Sequence, residues 1–508
     1  MPNEPSRSRT GRPRAGRSTD VLVVGAGPTG LTLACDLARR GLVPLVVERA
    51  GRLFPGSRGK GLQPRTQEVF EDLGVIDAVR AAGAPFPPMQ TWRDGRRLGR
   101  WPLIEEDPGA PASRYALPWM LPQWRTQRIL YDRLRALGGR VEFGTRLVSL
   151  TRTADHVEAG LTADDGRTRT VTAAYLVGAD GGRSTTREVL GIRMTGAPQP
   201  LRSALVADVR LTGLDRDGWH IWPEAPGGTM ALCPLPGTDD FQLSVHTDDA
   251  FPDGRRPEPT LDWVRRTVAA RSHLAADAIT EVLWASHYQP RTALAERFRD
   301  GRVFLAGDSA HVHPPGGGQG LNIGVQDAYN LGWKLGQVLR HGAPPALLDS
   351  YEAERRPVAV AVLELSTQLY RAGRDPDGGS ADARRRGRVT HQLSYTYRES
   401  PVTDETRPRL PEESVQAGDR VPDMLWPTAD GAPRRLYDLL AGPDLAVLAV
   451  DCDPPRVPAG VRVHRAEGPL AGKELGTGLF VVRPDGYIGM ATRDPERVPR
   501  YLAGLGAG

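Results

Sequence analysis

A glycine-rich turn of the pattern GxGxxG occupies residues 25–30. The apolar residues 21–24 before it are typical of a buried strand, and the apolar periodicity of residues 29–40 after it predicts a helix. Glycines in such a turn let backbone N–H groups approach a diphosphate at the start of the helix. Glu48 follows the next strand-like run, where its carboxylate can accept hydrogen bonds from a ribose diol. The sequence therefore predicts a dinucleotide site.

A second glycine-rich run, GDSAHVHPPGGGQGLNIG, covers residues 307–324 and follows the strand-like residues 303–306. Asp308 can accept hydrogen bonds from the hydroxyls of a polyol such as ribityl. The glycines after it expose backbone N–H groups at the start of a long predicted helix, whose dipole favours negative charge. A reduced flavin carries negative charge around N1 and the C2 carbonyl. We therefore expect this loop to bind an isoalloxazine rather than a nicotinamide.

A third motif, GADGGRS, lies at residues 178–184 and includes Asp180, which can cap a turn beside the cofactor. Within the second glycine-rich run, before its loop glycines, His311 and His313 form an H-x-H pair. Such a pair can bind a metal or act in acid–base catalysis, but no third ligand is evident. The sequence therefore predicts no metal site.

The elements around these motifs predict an α/β fold. Residues 20–50 read as a β-α-β unit, and residues 171–177 and 303–306 return to the same buried-strand pattern. Residues 195–295 contain short strand-like runs between turn residues and are predicted to be a mostly β insertion. Several aromatic residues concentrate there, and sheet packing is their most common use. Of these, Trp222 and Tyr288 are weak candidates for substrate contact.

Composition excludes several classes of function. The chain has 508 residues and a formal net charge of +5, most of which lies in residues 1–19, a predicted disordered basic tail. The remainder is nearly neutral, so no nucleic-acid partner is expected. No run of about 18 apolar residues and no apolar N-terminal segment is present, so neither a membrane span nor secretion is expected. Three cysteines make no disulfide framework or zinc cluster, which favours the cytoplasm.

In their order and spacing, the three motifs resemble those of the FAD-dependent aromatic hydroxylases, the group A flavoprotein monooxygenases of the p-hydroxybenzoate hydroxylase fold. The resemblance covers residues 20–508 and is strongest to three-domain members such as phenol hydroxylases, polyketide aromatic hydroxylases and rifampicin monooxygenase. It implies a Rossmann-like FAD-binding domain in two parts (20–194 and 296–370), a mostly β substrate domain (195–295), a linker (371–414) and a thioredoxin-like domain (415–508). The last has no C-x-x-C motif, so we expect it to be structural or oligomer-forming.

The resemblance also assigns roles to individual residues. Arg58 is expected at the FAD diphosphate, Gln123 at the ribityl chain and Leu147 near the adenine, and Asp180 would serve both FAD and NAD(P)H. The full set expected to bind the cofactor is Gly25, Gly27, Pro28, Thr29, Gly30, Glu48, Arg49, Arg58, Gln123, Leu147, Asp180, Asp308, Gly318, Gly320, Leu321 and Asn322. Pro315, Gly316 and Gly317 would form the catalytic oxygen site, with Pro314 at the substrate.

The implied activity is that of a monooxygenase with bound FAD. NAD(P)H would bind transiently and reduce the flavin, and O2 would add to give a C4a-hydroperoxide that hydroxylates a phenolic, polyketide or antibiotic ring. Three alternatives stay open at this point: a Baeyer–Villiger reaction, a flavin-bearing protein that sequesters its ligand, and a halogenase, which the missing W-x-W-x-I-P motif disfavours. A homodimer is plausible. The sequence does not separate NADH from NADPH, or antibiotic biosynthesis from drug inactivation.

Overall fold

Buried parallel strands form the centre of the molecule. The computed structural model describes residues 18–104, 113–196, 203–247, 258–289, 291–372 and 388–507, apart from 409, 412, 429–431 and 469–473. In the eight-stranded central sheet the order is Arg299–Asp300, Val303–Leu305, Thr168–Gly178, Thr19–Val24, Pro44–Val47 and Val141–Glu142, and Val157–Ala163 and Thr145–Arg152 extend it beyond Thr168–Gly178. The first strand is buried along its whole length because helices cover the parallel sheet. Ser18 and Thr19, the last two residues of the predicted tail, are described, and Thr19 opens this strand, whereas residues 1–17 lie outside the described part.

Ten α-helices are described, and the first of them, Pro28–Arg39, lies within one residue of the helix predicted over residues 29–40. They are α1 (Pro28–Arg39), α2 (Pro64–Asp72), α3 (Ile76–Ala82), α4 (Gln123–Ala136), α5 (Thr185–Val189), α6 (Leu261–Arg271), α7 (Gly320–Arg340), α8 (Asp349–Ala372), α9 (Leu436–Leu440) and α10 (Arg497–Gly504). Proline at the first position of α1 and α2 suits a helix start, where its missing N–H costs no hydrogen bond. None of these helices is both long and apolar enough to cross a membrane.

The second large sheet of the molecule has seven strands. Its order is Ile279–Tyr288, Ser203–Leu211, Asp240–Thr247, Met230–Pro234, Trp219–Trp222, Met89–Arg93 and Arg96–Trp101. Its last two strands come from far upstream of the predicted insertion at 195–295, and Met89–Arg93 pairs in parallel with Trp219–Trp222. The predicted α/β class with an inserted β domain is confirmed, and this sheet is larger than the insertion alone.

The C-terminal part of the chain forms a five-stranded sheet. Its order is Asp404–Glu405, Ile488–Thr492, Gly478–Val482, Ala446–Val450 and Arg462–Ala466. Two parallel strands and an antiparallel hairpin precede α10, and the thioredoxin-like assignment stays a prediction. Asp404–Glu405 joins this sheet from within the predicted linker, whose residues 390–392 are also buried. Smaller sheets pair Met194–Thr195 with Ala293–Ala295 and His311–Val312, Gly61–Leu62 with Trp119–Met120 and Ala84–Pro85, and Leu425–Trp426 with Arg434–Arg435.

A buried ionic network attaches this C-terminal sheet to the rest of the protein. Arg483 binds the carboxylate of Glu354 on α8 through both terminal nitrogens, at 2.7 and 2.9 Å. Lys334 on α7 donates to the same carboxylate at 2.7 Å, and Asp485 accepts from Arg483 at 2.6 Å. Trp333 Nε1 also donates to Asp485, at 3.0 Å. Two cations and two anions are thus in contact with almost no solvent exposure, and their opposite charges offset the cost of removing each from water.

Candidate active site

One cavity of about 610 Å³ lies where the glycine-rich turn, the loop before α7 and the seven-stranded sheet meet. The turn contributes Gly27, Pro28 and Thr29, and residues 313–321 contribute the opposite edge. Motifs almost 300 residues apart therefore line one space, as the sequence predicts. The predicted residues that line it are Gly27, Pro28, Thr29, Arg58, Gln123, Asp308, Pro314, Pro315, Gly316, Gly317, Gly318, Gly320 and Leu321.

The three glycines of the turn have different structural roles. Gly25 has a φ of +109°, and a Cβ on it would collide with the carbonyl oxygen of Ala179. A Cβ on Gly30 would collide with the carbonyl oxygen of Gly25, so both glycines permit close backbone crossings. A Cβ on Gly27 would meet no protein atom within 4 Å and would project beside the cavity. The turn is thus closed on the protein side and open where a diphosphate is expected.

The carboxylate of Glu48 stabilises this turn from the next strand. Its Oε2 accepts the backbone N–H of Ala26 at 2.9 Å, and its Oε1 accepts that of Ala50 at 3.0 Å. Glu48 therefore joins the glycine turn to the end of the strand Pro44–Val47. Arg49 beside it is exposed. Ribose binding by Glu48 and FAD binding by Arg49 stay predictions.

Two helices begin at the cavity, and Thr29 lies between them. A Cβ on Gly307 or on Gly324 would collide with the Thr29 hydroxyl, so α1 and α7 approach each other closely at their first turns. Asp308 lines the cavity beside them, and enclosure by protein raises the pKa of its carboxyl, although His311 and Arg58 act in the opposite direction. Two positive helix ends and one carboxylate suit the diphosphate and the hydroxyl groups of FAD.

The loop before α7 is held by buried amide side chains. Asn322 Oδ1 accepts the N–H of Gln63 at 2.8 Å, and its Nδ2 donates to the carbonyls of Gly61 and Gly318, both at 2.8 Å. Gln63 Nε2 donates to the carbonyl of Gly317 at 3.2 Å. Gly317 has a φ of +71°, which glycine adopts at little cost. The structure thus gives Asn322 a role in positioning the loop, away from the cavity surface.

Sequence reasoning missed the second group of amides behind this loop. Gln319 donates to the carbonyl of Thr390 at 3.2 Å, and Gln392 donates to Gln319 Oε1 at 2.6 Å. Gln326 completes the set with a hydrogen bond to Gln392 at 2.5 Å. All four residues are buried. No local motif marks these contacts, because they join α7 to a segment more than 60 residues away.

Arg58 and Gln123 lie at the near wall of the cavity. Gln123 Oε1 accepts the N–H of Gly59 at 3.0 Å and so fixes the segment that carries Arg58. The Arg58 guanidinium donates to the hydroxyl of Ser286 at 3.2 Å and lies 5.8 Å from the ring centre of Trp284. Arg58 thus lies between the cavity and the seven-stranded sheet, and its contact with the FAD diphosphate stays a prediction.

Two further predicted cofactor residues lie behind the cavity wall. Asp180 accepts hydrogen bonds from the Ser184 hydroxyl at 2.5 Å and from Thr186 N at 2.9 Å, and thereby fixes the turn before α5. Burial raises the pKa of Asp180, although these hydrogen bonds act in the opposite direction. Leu147 is buried in an apolar cluster of the central sheet with Val24 and other residues. Neither lines the cavity, and FAD binding by both stays a prediction.

The two histidines of the loop belong to a buried chain of hydrogen bonds. His313 Nε2 lies 2.9 Å from His311 Nδ1, and His311 Nε2 lies 2.6 Å from Asp327 on α7. Burial alone would raise the pKa of Asp327, but His311 and Arg355 hold it well below its usual value. Burial lowers the pKa of His313. Among the described residues, no three His, Cys, Asp or Glu side chains are arranged to hold a metal ion.

The aromatic wall of the cavity differs from the one expected. Trp222 is buried in the core on the far face of the seven-stranded sheet, 6.2 Å from Trp92 between ring centres, so the expectation that it contacts substrate is corrected. Alternation along the strand directs Trp219 and Ile221 to the cavity instead. The side chain of Tyr288 lies outside the described residues. Lys60, Gln242, Leu369 and Tyr370 also line the cavity and were not predicted.

Comparisons with known proteins agree with this geometry. Residues 18–366 match the family model described as an FAD binding domain. A flavin-dependent monooxygenase of Mycobacteroides abscessus is 41% identical, over 95% of this chain and 99% of that protein. A 12-dehydrotetracycline 5-monooxygenase/anhydrotetracycline 6-monooxygenase of Streptomyces rimosus is 35% identical, over 92% and 94% of the two chains.

A solved structure is similar over almost the whole chain. Aklavinone-11 hydroxylase, determined as a ternary complex with FAD and aklavinone, has a TM-score of 0.81 and is 30% identical, covering 96% of this chain and 99% of that one. The chain belongs to the FAD-binding-domain family and is a flavin-dependent monooxygenase that uses FAD and NAD(P)H.

Proposed function

We propose that this enzyme hydroxylates a polycyclic aromatic small molecule that carries phenolic groups, with molecular oxygen as the co-substrate. The observation that carries the proposal is the single cavity with two unlike sides. One side has helix N-termini, loop glycines and Asp308, which suit FAD. The other has Trp219, Ile221 and Met89 on the seven-stranded sheet, which suit an apolar ring system.

The chain's own residues bind, orient and exclude water. The chemistry that bound FAD supplies is acceptance of a hydride from NAD(P)H and activation of oxygen. Pro314, Pro315 and Gly316 form a stretch of the wall without side-chain hydroxyls or charges, which favours exclusion of water next to the ring. Because Asn322 and Gln63 hold this loop on the protein side, it offers a fixed surface to the cofactor and the substrate.

Some relatives are named for the molecules on which they act. The Streptomyces rimosus relative is named for dehydrotetracycline and anhydrotetracycline, and the structural neighbour for aklavinone. A cavity of about 610 Å³ is of the size that ligand sites commonly have, although it must also hold part of FAD. These names support a fused-ring substrate for this chain. A cytoplasmic location and a homodimer stay predictions.

The test is NADH or NADPH oxidation and oxygen uptake by the FAD-loaded protein with anhydrotetracycline or aklavinone as probes. We expect both rates to rise with the probe, and the product to be heavier by one oxygen atom on a ring carbon. A lactone product would instead indicate a Baeyer–Villiger reaction. Tight probe binding without oxygen uptake would indicate a ligand-sequestering protein. If neither nicotinamide reduces the flavin, the proposal is wrong.

A further inference from the structure

Lys60 is placed at the boundary between the two sides of the cavity. The backbone on either side of it is tied down, because Gly59 donates to Gln123 and the carbonyl of Gly61 accepts from Asn322. The carbonyl of Lys60 itself accepts the N–H of Leu121 at 2.8 Å. The backbone of Lys60 is therefore fixed next to the loop expected to contact the flavin, and its side chain extends toward the seven-stranded sheet.

The Lys60 ammonium contacts two groups of that sheet. It lies 4.2 Å from the ring centre of Trp219 and donates a hydrogen bond to Gln242 Oε1. Gln242 is buried, and its Nε2 donates to the carbonyl of Ser57, which fixes the oxygen of the amide toward the lysine. An aromatic face and an amide oxygen both favour the charged form of an amine. The cation is thus held in one place along the cavity wall.

Several other ionisable side chains lie along the cavity wall or close behind it. The ionisable side chains along its wall are Arg58, Lys60, His246, Asp308, His313 and Tyr370. Asp208 lies opposite Gln242 on the neighbouring strand, and burial raises its pKa to about 6, although Ser57 and Lys60 act in the opposite direction. On the cavity surface Lys60 contacts the ring of Trp219, which carries no charge.

We propose that Lys60 binds an anionic oxygen of the substrate, a phenolate or enolate on the fused-ring system, and thereby holds that ring in its ionised form. This inference rests on the proposed function. A cation within a few ångströms favours the charged state of an acidic hydroxyl, and the released proton goes to solvent. An ionised ring is richer in electrons than a neutral phenol, which favours attack on an electrophilic oxygen. The stacking on Trp219 and the bond to Gln242 position the cation for this contact.

The experiment uses alizarin, a dihydroxyanthraquinone dye that turns from yellow to red when a hydroxyl ionises. The dye is titrated with base in water and in the presence of excess FAD-loaded protein, and the pKa of the bound dye is read from its absorbance. Four proteins are compared: wild type, Lys60→Met, Lys60→Arg, and Arg140→Met as a charge loss at an exposed surface position. Equal FAD content shows that each variant is folded.

We expect wild type and Arg140→Met to lower the pKa of the bound dye by about one unit or more, which is about a tenfold change in its ionisation constant. Lys60→Met should abolish this shift, and Lys60→Arg should retain it because the charge is kept. The proposal is overturned if wild type does not bind the dye, binds it in neutral form, or shows the same bound pKa as Lys60→Met.

The dye titration involves no turnover, so it separates the two proposals. A Lys60-dependent shift without NAD(P)H-dependent oxygen uptake would leave the anion site standing and refute the hydroxylase. Oxygen uptake with dye bound in neutral form would do the reverse. In turnover assays, Lys60→Met should also move the rise of activity to higher pH, since the substrate then ionises without the lysine, whereas a merely structural lysine would lower activity at every pH.

Discussion

Glu354 is the residue whose removal should cost the most stability outside the cavity. Its carboxylate accepts hydrogen bonds from Arg483, Lys334 and Asn330, and from the Ser400 hydroxyl at 2.7 Å. Burial alone would raise the pKa of Glu354, but Arg483 and Lys334 hold it well below its usual value. Glu354→Gln keeps the shape of the side chain but removes its charge, so that Asp485 is left as the one anion beside the two buried cations, Lys334 and Arg483.

Breaking a buried pair from one side costs about 3–5 kcal/mol, because a charge stays buried without compensation. That is a large part of the roughly 5–15 kcal/mol that keeps a typical domain folded. Since a carboxyl with a lowered pKa contributes stability above its unfolded pKa of about 4.3, the loss should be complete at pH 7. It should shrink as the pH falls toward the folded pKa, where wild type loses the same charge.

The assay is urea unfolding at pH 7, followed by tryptophan fluorescence and by release of FAD. Adding Lys334→Met to Glu354→Gln makes the buried cluster neutral again. The double variant should therefore regain about 0.5–3 kcal/mol of the lost free energy of unfolding, which is the usual size of the coupling between contacting residues. Asp132→Asn is the control, because Asp132 pairs with Arg128 on the surface and should cost less than about 1 kcal/mol. A Glu354→Gln variant within about 1 kcal/mol of wild type would refute the reasoning.

Three further predictions concern the cavity. Burial raises the pKa of Asp208 to about 6, so the stability it contributes is present below its unfolded pKa of about 3.9 and is lost as the pH rises through 6. In urea unfolding, the free energy of unfolding of Asp208→Asn should therefore rise relative to wild type by up to about 3 kcal/mol between pH 4 and 7.5. A difference that does not depend on pH would contradict this. Gly27→Ala should weaken FAD binding in titration while leaving FAD-free stability within about 1 kcal/mol, whereas Gly30→Ala should lower that stability by about 1–3 kcal/mol or more. Asn322→Ala leaves the buried N–H of Gln63 without its acceptor, so thermal unfolding should show a loss of about 1–3 kcal/mol and FAD should dissociate faster; unchanged FAD release would argue against a positioning role.

Much of the FAD side of the cavity could be predicted from local sequence patterns. The start of α1 and the glycine turn depend on residues within a dozen positions of one another, so their spacing alone predicts both. Gln63 gives the opposite case. It reaches Gly317 across 254 positions, and nothing near Gln63 in the sequence indicates that contact.

The substrate side was harder to predict for a different reason. Alternation shows that Trp219 and Trp222 lie on opposite faces of one strand, but it does not show which face meets the cavity. That choice depends on the pairing with Met89–Arg93, a strand 130 positions upstream that lies outside the predicted insertion. Lys60 is a similar case, because its partner Gln242 is 182 positions away.

Helix α7 links the cavity to the C-terminal sheet. Its first turn carries Asn322, which holds the loop at the cavity, and its middle carries Tyr329, whose hydroxyl donates to the carbonyl of Pro484 at 2.9 Å. One turn further on, Trp333 donates to Asp485. A rigid helix fixed at its middle by the C-terminal sheet cannot shift its first turn without breaking these buried contacts. We therefore expect the C-terminal sheet to fix the position of α7 at the cavity, so Glu354→Gln should weaken FAD binding as well as lower stability.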